Sequence, residues 1–156
     1  MVMTINKLKS ELMGLDLYDN EPDAINAWST AWKNYFLDAA ANGIPVVPSI
    51  VDVGVVAMKP AMVGLSMTGA ASLQAGIVAF WGALVPAAFA TCITITPPPA
   101  ITGIAAALLP VFYANVAGSL SKDACCLSVA TVLHTNNLGG IAIFPALPTP
   151  LPFPIL

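Results

Sequence analysis

One histidine, three cysteines and eight carboxylates are the side chains of this 156-residue chain from which reaction chemistry could be built. His134, in "VLHTNN", has the chemistry of a general base or a metal ligand. A triad needs a carboxylate and a nucleophile beside it, and zinc needs three or four ligands. No carboxylate stands within ten residues of His134. The expected role is a hydrogen bond near the end of the last helix, where the helix dipole also favours a cation. Glu11, Asp16, Asp19, Glu21 and Asp23 could pair for acid and base work, but such pairs need a desolvated pocket to separate their pKa values. A solvated acidic loop is expected instead. Cys92, Cys125 and Cys126 are odd in number and lack CxxC spacing, so neither a disulfide framework nor a zinc site is read from them. They are expected to pack as small apolar groups, in preference to a cross-link from the vicinal pair Cys125 and Cys126 to a neighbouring chain. "GLSMTGAASLQAG" is rich in Gly and Ala but lacks the lysine and the preceding strand of a phosphate loop. No catalytic residue, metal site or cofactor is therefore assigned, and the chain is read as non-enzymatic.

Composition narrows the partners. Hydrophobic residues make up 58% of the chain and charged residues 8%, against about 45–50% and about 25% in an average soluble domain. Charge crowds into residues 1 to 38, with Asp52 and Lys59 following. Residues 60 to 121 and 124 to 156 carry none. Five lysines, no arginine and a net charge of −3 argue against nucleic acid, whose phosphates need clustered cations. So apolar a chain is hidden either in lipid or between other protein chains. The opening residues lack the apolar run of a signal peptide, so secretion by that route is not expected.

These residues must be positioned by helices. Ile5, Leu8, Leu12 and Leu15 recur at helical spacing after Thr4, a suitable cap. Pro22 and Asp23 suit the first turn of a second helix that puts Trp28, Trp32, Tyr35 and Phe36 on one face, with Asn42 and Gly43 as its stop. That aromatic face could cradle a ligand, and docking of the helix on its own core is the expected role. "SIVD" resembles a capping box for a third helix towards Gly64, kinked or split at Pro60. Next, Leu73, Ile77, Phe80, Trp81, Leu84 and Phe89 form a stripe, while Ala75, Gly76, Ala79, Gly82 and Ala83 leave smooth sides that permit close backbone approach. "TITPPPAIT" is expected to be a stiff extended corner. Ile101, Ile104, Leu108, Phe112 and Val116 mark a further helix, and Ser119 or Ser121 caps a last one, "KDACCLSVATVLHT". The expected fold is all-α: a small bundle of five or six short helices punctuated by Pro and Gly, residues 1–144, followed by an extended proline-rich arm, residues 145–156.

That arm, "FPALPTPLPFPIL" with its leading Phe144, carries proline at 145, 148, 150, 152 and 154 and no charge. Proline excludes helix and central strand. Phe144, Leu147, Leu151, Phe153, Ile155 and Leu156 are expected to bind a partner, because a row of apolar groups needs a surface to receive it. Residues 70–92 and 100–117 also approach membrane-spanning length. Both are rich in Ala, Gly, Ser and Thr, each contains a proline, and Trp81 falls mid-window instead of at an interface. A helical hairpin in the host inner membrane, as in a holin-like pore former, is the alternative reading.

In order, "INKLKSEL", "AWSTAWKNYFLDAA", "NGIPVVP", "GIVAFWGAL", "TPPPAI" and "HTNNLGG" before the proline tail resemble small structural proteins of contractile-tailed bacteriophages, components of the tail or baseplate. The resemblance spans most of the chain, and its motifs are compositional. It implies a subunit located in the virion, bound to copies of itself and to other virion structural proteins, with its apolar faces covered by neighbours.

Overall fold

Helix starts follow from side chains that satisfy the first orphan amides. In the computed structural model, which describes residues 3–15, 19–84, 88–145 and 151–156, α1 (Ile5–Met13) begins where Thr4 Oγ1 accepts from Lys7 N at 3.2 Å. α2 (Glu21–Phe36) begins with a reciprocal cap. Asn20 Oδ1 accepts from Asp23 N at 2.9 Å, and Asn20 Nδ2 donates to Asp23 Oδ2 at 2.8 Å. Each such cap contributes about 1 kcal/mol. α3 (Pro48–Ala61) follows without a side-chain cap, so the capping box expected of "SIVD" does not form. Asp52 instead pairs with Lys33 of α2. Pro60 falls in the last turn, where it ends the helix instead of kinking it.

α4 (Leu65–Ala83) returns after a three-residue turn containing Gly64 at φ 90. Its expected stripe is the core: Leu73, Ile77, Phe80, Trp81, Leu84 and Phe89 are all buried. Glycines let α3 and α4 approach closely, for a Cβ on Gly54 would lie 2.7 Å from Phe80 Cδ2 and one on Gly76 2.4 Å from Met62 Cγ. α5 (Ile104–Val116), entered through a 3-10 turn at Pro99–Gly103, packs on α4, and α6 (Lys122–Asn137), capped by Ser121, packs on α5 and α1.

The start of α4 is held from outside. Glu21 accepts from Gly64 N at 2.8 Å, Ser66 N at 3.1 Å and the Ser66 hydroxyl. The hydroxyl first, and then the two amides, hold its carboxyl below its ordinary value of 4.5. Because the folded pKa is depressed, this stabilisation is complete above the unfolded value and is lost as pH falls through the folded one. Thermal melts in acid should therefore show a falling midpoint that Glu21→Gln makes shallower; identical acid limbs for the two proteins would contradict the clamp.

The fold is predominantly helical, but two small antiparallel sheets correct the all-α expectation. β1 (Ala40–Ala41) and β2 (Ile44–Pro45) form a hairpin around Asn42 and Gly43, at φ 52 and 73. Asn-Gly favours this two-residue turn, and α2 has already ended at Phe36, so the pair is a strand reversal and not a helix stop. The second sheet has the order β3 (Thr94–Thr96), β4 (Ile141–Phe144), β5 (Leu151–Pro154). "TIT" is thus a strand before the proline corner.

β5 comes from the proline tail. It pairs with β4 in the register Ile141↔Pro154, Ala142↔Phe153, Ile143↔Pro152, Phe144↔Leu151, and Ile155 N continues the ladder to Gly140 O at 2.8 Å. With period two, residues 151, 153 and 155 turn their amides towards β4, while Pro152 and Pro154 face the outer edge, where no donor is needed. Leu156, which is not a proline, uses that outer side: its N–H donates to Ala40 O at 3.0 Å, and its carbonyl accepts from Ala40 N at 2.9 Å. A bridge between Ala41 and Ile155 completes the link, so the segment joins the two sheets. Of the arm expected to leave the domain, residues 151–156 lie here on its own domain, along the edge of β4.

Candidate interaction surface

The expected aromatic face divides between core and groove. Trp32, Tyr35 and Phe36 are fully buried; Phe36 packs edge-on against Phe80 and Trp81, with centroids at 4.9 and 5.3 Å. Trp28 is half-buried beside Leu12, Phe112, Cys125 and Cys126 in a shallow groove of about 290 Å³. Burial pushes both thiols above their ordinary value. They therefore stay protonated and are poor nucleophiles. All three cysteines are free thiols.

Two side-chain hydrogen bonds tie α6 to α2 and α4, the one from His134 partly buried and the one from Asn137 buried. Tyr35 Oη and His134 Nδ1 are 2.7 Å apart, Trp81 Nε1 donates to Asn137 Oδ1 at 2.7 Å, and Asn137 Nδ2 lies 3.7 Å from Met3 Sδ. The Tyr35 hydroxyl donates to Nδ1 or accepts from it according to the tautomer of the ring. Burial drives the Tyr35 pKa upwards and the His134 pKa down, which keeps both groups neutral. Since the folded His134 pKa is depressed, its contribution is complete above the unfolded value near 6.5 and is lost as pH falls through the folded value. NMR titration of the ring should give a midpoint below 6.5; a midpoint above 6.5 would contradict the depression by burial. These groups tie helices together. Among the described residues, no group of three His, Cys, Asp or Glu side chains is arranged to hold a metal ion.

The outer surface is more distinctive. α3 turns Val53, Val56 and Pro60 to the exterior, the following turn Val63, α4 Met67, Ala71, Ala75 and Val78, and α5 Leu109, Pro110 and Tyr113. Val56 is 72% exposed, Val63 70%, Met67 88% and Tyr113 70%. Between α4 and α5 lies a groove of about 350 Å³, lined by Met67, Ala71, Leu109, Phe112 and Tyr113 among others. Asp52 is engaged by Lys33, and no charged residue occurs between 60 and 121. Scattered exposed apolar residues are ordinary, but α4 and α5 carry no charge, and α3 carries only Asp52 and Lys59, so the three helices share a charge-poor, apolar exterior that marks an interaction face.

The tail residues assigned to a partner are distributed differently. Phe144 and Ile155 are 5% and 1% exposed within this chain, Phe153 is half-buried with its ring edge-on to Phe144 at 5.8 Å, and Leu156 is exposed. Leu147 lies outside the described residues, and Leu151 is placed by its backbone in β5. The part of the face on α4 and α5 was signalled by the absence of charge from 60 to 121. Which helix sides point outwards was not, because Ala and Gly suit either environment. The chain matches no protein-family model, no curated protein and no solved structure. No helix among the described residues is long and apolar enough to cross a membrane.

Proposed function

We propose that this chain is a non-enzymatic structural subunit of a bacteriophage particle of the contractile-tailed kind, placed in the tail or baseplate and bound to copies of itself and to other virion proteins. The observation that carries the reading is the charge-poor, apolar exterior of α3, α4 and α5, with side chains as large as Met67 and Tyr113 mostly exposed. Burying such a face against a neighbour contributes about 25 cal/mol per Å² of apolar surface. The resemblance to phage structural proteins supplies the particle, and the smooth Ala and Gly positions allow backbones to pack closely across it.

The test is the double substitution Val56→Glu with Met67→Glu. Both side chains are exposed, so the fold should survive with about 0.5 kcal/mol or less of change per site. Self-association and incorporation into particles should fall by about tenfold or more, the effect of about 1.4 kcal/mol at an interface. Unchanged incorporation would remove the assembly reading. Flotation of the wild-type chain with lipid after an alkaline wash would replace it with the inner-membrane alternative.

A further inference from the structure

The segment 151–156 is bound as a ligand would be. It has its own backbone ladder to β4 and Gly140, a second pair of hydrogen bonds to Ala40, and an anchor, Ile155, that reaches the core. We propose that this segment is exchanged between copies: residues 151–156 of one chain occupy the seam between β4 and β1 of another, in the same register as in the closed chain. The proposal deepens the assembly reading, since it names a second copy of this chain as the partner of the arm.

The occupant of the seam is already visible, because the chain fills it with its own residues. A second copy presents an identical seam and an identical segment. Closed and exchanged forms therefore share every contact except those of the connection, and the balance between them depends on that connection and on concentration. The composition of the connection favours exchange. Six positions, 145–150, separate Phe144 from Leu151, which face each other in the register. Their sequence, "PALPTP", has proline at three of the six and neither glycine nor asparagine. Each proline fixes its own φ and biases the preceding residue towards extended backbone. Tight reversals instead favour Asn-Gly, which this chain uses at Asn42 and Gly43. Extended at about 3.1 Å per residue, six positions would carry the segment roughly 19 Å outwards, enough to reach an adjoining subunit. In a packed particle the local concentration of neighbouring seams is high, which favours exchange.

Ile141 and Pro154 are opposed in a pair that makes no mutual hydrogen bonds, a geometry close enough for a disulfide. Two full-length chains of different mass, one carrying Ile141→Cys and the other Pro154→Cys, both with Cys125→Ala and Cys126→Ala, are refolded together and oxidised. Mass spectrometry of the cross-linked peptides should find residue 141 of one chain joined to 154 of the other, in a yield that rises with protein concentration. Replacing Pro148 and Pro150 with glycine should lower that yield by about tenfold, because the loop then reverses freely. A single chain with both cysteines reports whether the pair can close. If it closes on itself while the mixture yields no interchain 141–154 link at any concentration, the exchange is overturned. Ile143→Cys with Pro152→Cys offers the same test should the first pair fold poorly. Loss of the interchain link with Val56- and Met67-dependent incorporation intact would discard the exchange and leave the assembly reading standing; the reverse result would do the opposite.

Discussion

Replacing Ile155 with alanine lowers the unfolding free energy by about 2–5 kcal/mol, the range for truncating a fully buried aliphatic side chain. Ile155 is 1% exposed and belongs to the main core with Phe89, Ala142 and Phe144. Its backbone is bonded to Gly140 and bridged to Ala41, so the side chain cannot retreat and the walls can close only in part. That places the cost above the lower limit. Ile155→Val should cost about 0.5–1.5 kcal/mol. Urea titration at constant slope is the measurement, and a loss under about 1 kcal/mol for alanine would mean that the segment is not a structural part of the core.

A second large effect is expected at Trp81. Its indole is buried, packs edge-on to Phe36, donates to Asn137 and lies over Gly140, where an added Cβ would come within 2.7 Å of Cη2. Trp81→Ala should cost about 3–5 kcal/mol, and more if Asn137 loses its only indole donor without replacement. Gly140→Ala should cost about 1–3 kcal/mol, since a ring held by a hydrogen bond and by Phe36 cannot give way. In the Trp81→Ala background the same glycine substitution should cost almost nothing. Strict additivity in this double-mutant cycle would show that the strand and the indole are not in contact.

Helices with local signals were legible in advance. Thr4 and Ser121 cap their helices with the expected amides, and the stripe from Leu73 to Phe89 is the core, because caps and 3.6-residue periodicity are encoded within a few residues. The strands were not. "IAIF" and "TIT" lack the alternation of polar and apolar residues that marks a half-buried strand, and two-residue strands such as Ala40–Ala41 leave no period at all. Asn42-Gly43 was ambiguous because helix stops and hairpins draw on the same residues. The clamp from Glu21 to α4 and the bond from Tyr35 to His134 join positions 43 or more residues apart, and no local pattern announces such a pairing. The charge-poor face was visible on α4 and α5 as a gap in charge, while its orientation depended on how α3, α4 and α5 pack.

The spacing of Pro152, Pro154 and Leu156 governs what the sheet cannot do. An exposed strand edge normally invites pairing with any extended peptide, and a chain that is 58% hydrophobic would be unusually prone to stacking into fibrils by that route. On β5 the outward nitrogens at 152 and 154 carry no hydrogen, so an incoming strand would find carbonyls but no donors. The one outward donor that remains, Leu156 N, is already committed to Ala40. The alternating prolines therefore act as a gatekeeper: the segment accepts β4 on one side and refuses amyloid-like growth on the other.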